Sequence, residues 1–234
     1  MTAKSRAGVA KLLGDLAVRM QDQPDTELTL QAIVEGAVAI VPGTRWAGIS
    51  LVTGRRVIPR VPSAPLVAKL DCLQTALDDG PCISALREYH TVLIDDTSAE
   101  SRWPRFSEAA AGLGVDSVLS FQLFVESENL GSLNLYSDEA GVFDEDAIFL
   151  GQLVAQHASV ALVGSAAQTQ FRDAVSSRDA IGQAKGILMH RERLAGVDAF
   201  ALLVKTSQNA NIKVIDLARF IIEQHEAELQ EGAV

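Results

Sequence analysis

Few side chains in this sequence are able to do covalent, metal or acid-base chemistry, and their spacing decides which of those reactions it supports. His90, His157, His190 and His225 are isolated from one another, and neither Cys72 nor Cys82 has a partner at the roughly two-to-four-residue spacing of a zinc loop. No metal site is expected. Cys82 follows Pro81 at a predicted helix start, where the helix dipole favours a thiolate, although a small buried residue is the commoner role. A Cys72–Cys82 disulfide is not expected in a chain without an export signal. The adjacent carboxylates Asp95-Asp96 and Asp144-Glu145-Asp146 fall at loops or helix starts, where such groups cap helices more often than they move protons. Gly112-Leu113-Gly114 lacks the third glycine and the following helix of a phosphate cradle, and there is no Walker motif and no nucleophile elbow. Nucleotide hydrolysis and hydride transfer therefore recede.

Charge is more informative than reactivity. A formal net charge of -10 and a pI near 4.8 argue against a nucleic-acid coat along the whole chain. Between Ser176 and Ile222, however, seven bases (Arg178, Lys185, Arg191, Arg193, Lys205, Lys213, Arg219) stand against four acids (Asp179, Glu192, Asp198, Asp216), a local excess of three positive charges. That segment differs electrically from the rest.

The elements that must hold these residues follow from periodicity. At 234 residues, 48% hydrophobic and 21% charged, the chain has apolar side chain enough for two ordinary domains and is no disordered, collagen-like or disulfide-stapled sequence. Without an apolar run of about eighteen residues or a secretory leader, a cytoplasmic chain with no membrane partner is expected. Helical spacing predicts a helix over Ser5–Met20, a second from Thr26 to Val41, a helix over Leu66–Leu77 and a short one over Cys82–Tyr89. Alternation from Arg45 through Val61 predicts a hairpin, and Val92–Ile94, Val115–Val125 and Leu130–Ser137 read as further strands, the last two joined by a polar turn over Glu126–Asn129. A helix over Pro104–Leu113 precedes that pair. Strands and helices intermix without the regular alternation of a parallel sheet, so the fold class is α+β, an antiparallel sheet flanked by helices. From Asp144 to about Arg193 no proline interrupts the chain, and one long helix is expected, with a break near Gly164-Ser165 as its alternative. Val197–Val204 and Ile212–Ile222 complete an all-helical unit around Ile181, Leu188, Phe200, Leu203, Ile215, Ala218 and Ile222.

Two phrases narrow the identity of the first domain: Gly80-Pro81-Cys82 entering a short helix, and Arg102-Trp103-Pro104-Arg105-Phe106 ahead of the strand pair that ends in Leu130-Gly131-Ser132-Leu133-Asn134-Leu135-Tyr136. With the closing helix from Asp144 they resemble the GAF domain over about Thr26–Val163. The resemblance implies a sensor fold with a pocket between the sheet and the helices of the Leu66–Tyr89 region, of unknown ligand or cofactor. Within it Trp103 reads as a packing anchor rather than a cofactor platform, and Arg102 as a salt-bridge partner or an anion contact. Farther on, Ser177-Arg178-Asp179-Ala180 followed by IGQAKGILM over 181–189, then Ala199-Phe200, Leu203, Ser207, Asn211, Lys213 and Asp216 to Ala218, closely resemble the ANTAR domain over about Ala174–Glu223. Ile215 departs from the longer basic side chain frequent there.

What this implies is a GAF–ANTAR transcription antitermination regulator, not an enzyme, with no catalytic residues: residues 1–22 an N-terminal helix, 26–163 the sensor, 164–174 a helical linker, 175–224 the RNA-binding domain and 225–234 a frayed tail. Its expected partners are RNA hairpins, a small-molecule ligand in the sensor and a second copy in a homodimer. Candidate RNA contacts are Arg178, Gln183, Lys185, Ser207, Gln208, Asn211 and Lys213, the last four around a turn whose helix N-terminus offers amides to phosphate. Phe200 and Phe220 have core spacing, so no aromatic stacking platform is expected. Gly182 and Gly186 admit a close backbone, either a neighbouring helix or a nucleic acid. The alternatives are a thiol enzyme acting on methionine sulfoxide through Cys72 and Cys82, and an interaction or DNA-binding regulator.

Overall fold

The computed structural model describes residues 3–54, 56–87, 91–126 and 128–231. Tyr89 at the predicted end of a short helix, His90, and Ser127 of a predicted turn lie outside the described residues. Two compact units divide the chain, Met1–Ala167 and Gln168–Val234.

The first unit begins with α1 (Ala3–Gln21) and α2 (Thr26–Ile40). Asp25 caps α2 by accepting the Leu28 amide at 2.9 Å. Then follow β1 (Trp46–Thr53), β2 (Arg56–Arg60), α3 (Pro65–Leu77), α4 (Pro81–Arg87), β3 (Thr91–Ile94), α5 (Pro104–Gly112), β4 (Ser117–Val125) and β5 (Glu128–Ser137). Proline stands in the first turn of both α3 and α5, where its missing amide costs nothing. The five strands form one antiparallel sheet in the order β2-β1-β5-β4-β3.

Register sorts the strand residues onto two unlike faces. Ala47 opposite Leu135, Ile49 opposite Leu133, and Leu119 and Phe121 on β4 opposite those same two β5 residues give one face that is wholly apolar. It packs with Leu16, Leu30, Ile33, Leu150, Val154 and Ala158 in the main core. The other face carries Ser50 opposite Ser132, Gly48 opposite Asn134, and Ser120 opposite Asn134 from the far side. Those polar residues are as buried as the core, because α3 and α4 cover them.

Helix α6 runs unbroken from Glu145 to Glu192. Asp144 caps it through the Ala147 amide at 2.8 Å, and Glu145 and Asp146 complement its dipole, as the sequence predicts for that acidic triplet. Ser165 does not break it: its hydroxyl bonds to Thr26 at 3.1 Å and to Thr29 at 3.3 Å, so the side chain is spent on α2 rather than on its own backbone. By length and composition α6 could cross a membrane, but its Ala147, Leu150, Val154, Ala155, Ala158 and Leu162 belong to the core of the first unit.

In the second unit the end of α6 joins α7 (Gly196–Ala210) and α8 (Val214–Glu231). Its core is Ala184, Leu203, Leu217 and Ala218, with Ile181, Leu188, Val214, Ile221 and Ile222 against them. Three expectations fail here. Phe200 is 45% exposed and Phe220 56%, because the buried line of α7 is Ala199, Leu203 and Ser207 and that of α8 runs through Leu217 and Ala218, each one or two residues off the phenylalanine. Ile215 is only half-buried and lies outside the core group. The tail expected to fray from His225 is instead helical through Glu231, where Glu226, Ala227, Glu228 and Leu229 are strong helix formers and Glu228 pairs with Arg191. Residues 232–234 of that tail lie outside the described residues.

Candidate functional site

The polar face of the sheet is a site built by two helices over three strands. Helix α3 buries Val67, Leu70, Asp71 and Gln74, the three-and-four spacing of one helical face, so a carboxyl and an amide point where a core helix ordinarily places leucine. Tyr136 donates its hydroxyl to Asp71 Oδ1 at 2.6 Å, and Asn134 Nδ2 donates to the same oxygen at 3.2 Å. Gln74 Nε2 reaches Tyr136 at 3.5 Å, while its Oε1 accepts the Cys82 amide at 2.8 Å and locks the start of α4. Gly48 belongs to the arrangement: a Cβ there would lie 2.7 Å from Asp71 Oδ2 and 2.6 Å from Val67. Asn129 and Gln122 both donate to the Leu86 carbonyl, at 3.0 and 3.3 Å, tying the end of α4 to the sheet.

Burial dominates the electrostatics. It pushes the Asp71 carboxyl from its ordinary 3.8 up to about 6, against the two hydrogen bonds that favour the charged form. Burial, with the Asp71 charge second, raises the Cys82 thiol to about 11 and carries Tyr136 well above its usual range. An acid that titrates near 6 folded and near 3.8 unfolded binds more protons when folded between those values. Stability from this group is therefore complete below about pH 4 and is lost as pH rises through 6, by about 3 kcal/mol in all. Asp71→Asn should flatten that part of the stability-versus-pH curve, measured by urea unfolding at several pH values; an unchanged slope would place the titration elsewhere.

Cys82 is the buried small residue that composition favours. Its sulfur sits 2.9 Å from the Ser132 hydroxyl, and a thiol held at about 11 supplies almost no nucleophilic thiolate near neutrality. Cys72 is exposed and Cys82 buried, both with free thiols, so the structure does not bring the two cysteines together. Arg102 is committed as well: it pairs with Glu100 at 2.6 Å, donates to the Leu93 carbonyl at 2.7 Å and stacks over Trp103 at 4.4 Å. Trp103, 7% exposed, is a packing anchor.

Sequence reasoning placed a pocket between the sheet and the helices of the Leu66–Tyr89 region, where the structure has a buried polar cluster, and did not single out Asp71, Gln74, Ser132, Asn134 or Tyr136 as its members. The available signal was the alternation Ser132, Asn134, Tyr136, which reads as a solvent face until a helix is known to cover it.

The second unit holds the predicted polymer contacts. At about 100° per residue, Arg178 and Lys185 share one flank of α6, Gly182 and Gly186 lie on its outward face, and Gln183 lies on the opposite flank. Among the described residues, and apart from the backbone of the helix itself, no atom lies within 4 Å of where a Cβ on Gly182 or Gly186 would be, so neither glycine serves packing between helices of this unit. Gln183 borders an open groove of about 460 Å³ with Phe171, Val175 and Asp179. Lys185 Nζ lies 3.6 Å from a Cβ position on Gly196, at the start of α7, whose N-cap Ala195 makes no side-chain bond. An ammonium beside uncapped amides can hold a phosphate, although Asp198 in the same turn adds a negative charge.

The inter-helix turn is less open than expected. Ser207 is 4% exposed and its hydroxyl is bonded to the Ile212 carbonyl at 2.5 Å, so it closes the turn and offers nothing to a partner, which corrects its place among the contacts. Asn211 ends α7 in the left-handed conformation at φ 54° that asparagine tolerates. Gln208, Asn211 and Lys213 are exposed, while Asp216 already occupies the first turn of α8.

Residues 23–163 match the GAF domain, a signal-sensing domain, and residues 169–222 match the ANTAR domain, an RNA-binding antiterminator domain. Comparison with curated protein sequences gives no match. Among solved structures, free methionine-R-sulfoxide reductase from Neisseria meningitidis, in complex with its substrate, is 20% identical over 70% of this chain and 94% of its own, with a TM-score of 0.53. The GAF domain of an Acinetobacter phosphoenolpyruvate-protein phosphotransferase is 13% identical, covering 73% of this chain and 99% of its own, at 0.56. An N-acylhomoserine lactone-dependent LuxR-family transcription factor from Burkholderia cenocepacia is 22% identical over 68% and 95%, at 0.54. At these identities the likeness is one of fold. The sensor match spans the larger part of the chain and the helical match follows it in order, so this chain belongs to the GAF domain family and has the two-domain organisation of a GAF–ANTAR regulator.

Proposed function

We propose that this chain is a signal-responsive transcription antiterminator whose second unit binds paired hairpins in nascent RNA and whose first unit adjusts that binding to a small molecule. The observation that carries the reading is the outward face of α6: two glycines with open space above them, flanked by Arg178 and Lys185. A polynucleotide backbone can approach such a face closely, with cations placed for its phosphates. Gln183, Gln208, Asn211 and Lys213 supply further polar contacts in this reading. Binding nascent RNA places the protein in the cytoplasm. The reading includes a homodimer, supported by the exposed Phe149, Val160 and Val163 along α6 and by Leu12 and Val18 on α1. Two RNA-binding units held together would raise effective affinity for a pair of hairpins without new contacts.

Lys185→Ala in the full chain tests the RNA surface. Hairpin affinity should fall several-fold and the slope of log affinity against log salt should shrink by about 1. Circular dichroism should be unchanged, since a half-exposed lysine contributes within about 0.5 kcal/mol. A folded variant with unaltered affinity and salt slope would move RNA off this face, and equal binding to duplex DNA in competition would replace hairpin recognition with simple charge attraction.

A further inference from the structure

The buried polar cluster of the first unit leaves several of its oxygens without a partner. Among the described residues, Asp71 Oδ2, Asn134 Oδ1, Ser50 Oγ and Ser120 Oγ are buried without a hydrogen-bond partner. Strand register gathers them: Asn134 lies between Gly48 and Ser120 across the sheet, Ser50 is two residues along from Gly48, and Asp71 Oδ2 rests against Gly48. Nearby, the Tyr136 hydroxyl and the Asn134 amide are spent on Asp71 Oδ1 and the Cys82 amide on Gln74, while the Cys82 thiol, bonded to Ser132, also faces Asn134 and Ser50 and has one proton to share among them. Leaving even one such oxygen unpaired in a buried site is costly, and four together call for an occupant.

We infer that this cluster is a receptor for a small ligand with a primary ammonium head, Asp71 serving as its counter-ion and Asn134, Ser50 and Ser120 as acceptors. The inference rests on reading the first unit as the sensing unit and gives its ligand a chemical class. Two of the four atoms, the carboxylate and amide oxygens, only accept, and the hydroxyls are able to, so the fitting partner is rich in N–H donors. An ammonium brings three. Among the described residues, no lysine or arginine takes part in the hydrogen bonds of the cluster, so the carboxylate has no internal cation and a positive ligand would supply one. A carboxylate or phosphate ligand would instead meet Asp71 with like charge. A single water offers two donors to four acceptors and leaves the charge uncompensated. The head must be slim, since the space over Gly48 is already shared by Val67 and Asp71.

Because proton and ammonium compete for one carboxylate, occupancy should depend on pH. Burial raises the Asp71 carboxyl to about 6, and Tyr136 and Cys82, the other titrating groups facing it, stay protonated throughout that range.

Calorimetric titration of the full-length protein with methylammonium chloride tests the assignment, with ammonium chloride as a second probe and tetramethylammonium chloride as a cation without N–H donors. Saturable binding of methylammonium is expected at about pH 7.5 and should be about tenfold weaker at about pH 5. Ammonium should bind at the same site, tetramethylammonium should not bind, and Asp71→Asn should abolish the response. Ser120→Ala, which removes an acceptor without touching the carboxylate, should weaken binding and keep its pH dependence. Equal responses to methylammonium and tetramethylammonium, no response to either, or binding retained in a folded Asp71→Asn protein would each overturn it. Hairpin binding of the same protein without amine reports on the RNA reading alone, so the two can fail separately.

Discussion

Replacing Gly131 with alanine should strongly destabilise the first unit. A Cβ at this position would lie 2.1 Å from the Ser50 carbonyl oxygen and 3.0 Å from Leu51 Cα, both backbone atoms of the neighbouring strand that cannot rotate away. The residue sits at φ 153°, between Leu51 on β1 and Leu123 on β4, where the β4–β5 register shifts. Separating β1 from β5 would cut the centre of the sheet. Overpacking and backbone strain each cost about 1–3 kcal/mol, so about 3 kcal/mol or more is expected, against a typical domain stability of about 5–15 kcal/mol. Gly141→Ala is the comparison, with positive φ but open space around its Cβ, and should cost only about 1 kcal/mol. Thermal unfolding followed by circular dichroism measures both. Equal losses from the two substitutions would show that conformation rather than the strand contact governs Gly131.

The second large effect has opposite signs in two measurements. Gly182→Ala together with Gly186→Ala should stabilise the helix, since alanine is favoured over glycine by about 0.5–1 kcal/mol per site in a helix interior and both Cβ atoms would project into open space. The same pair of methyl groups should lift a bound RNA backbone off the face and lower hairpin affinity by about tenfold, about 1.4 kcal/mol. Melting temperature and hairpin titration on one preparation settle the matter. A variant that is both more stable and an equal or better RNA binder would remove the close-approach role and leave the two glycines without a functional account.

How much of this was legible before folding follows from which physical signals survive in a linear string. The hairpin, the late strand pair and the long α6 were readable because Trp46–Thr53 alternates and no proline lies between Asp144 and Glu192. Those are local signals. Asp71 was not readable: a carboxyl two residues after Lys69 and next to Cys72 looks like the solvent side of an amphipathic helix, and only the sheet beneath α3 makes it internal. Phe200 failed for the reverse reason. Its spacing from Leu203 suits a core, but Ala184, Ala199 and Ala218 at the centre leave the helices no room for an aromatic ring. Ser207 resembled a surface contact because a short polar side chain near a helix end has two common uses, and the chain alone does not say which.

The two-faced sheet bears on how such a protein can diverge. Odd-numbered positions of β1, such as Ala47 and Ile49, support the main core, while even-numbered Gly48 and Ser50 line the polar cluster. A substitution in the first set leaves a void or a clash at a cost of several kcal/mol, about 2–5 for a large-to-alanine change. If the cluster is the receptor inferred above, exchange of one polar residue for another in the second set alters which donors and acceptors a ligand must satisfy, together with the internal bonds of Asn134 to Asp71 and of Ser132 to Cys82. On that reading, specificity would drift through single replacements at Ser50, Ser120, Ser132 or Asn134 while the apolar face keeps the core. A library confined to those four buried positions would, on the same reading, sample new inputs while leaving the apolar face intact.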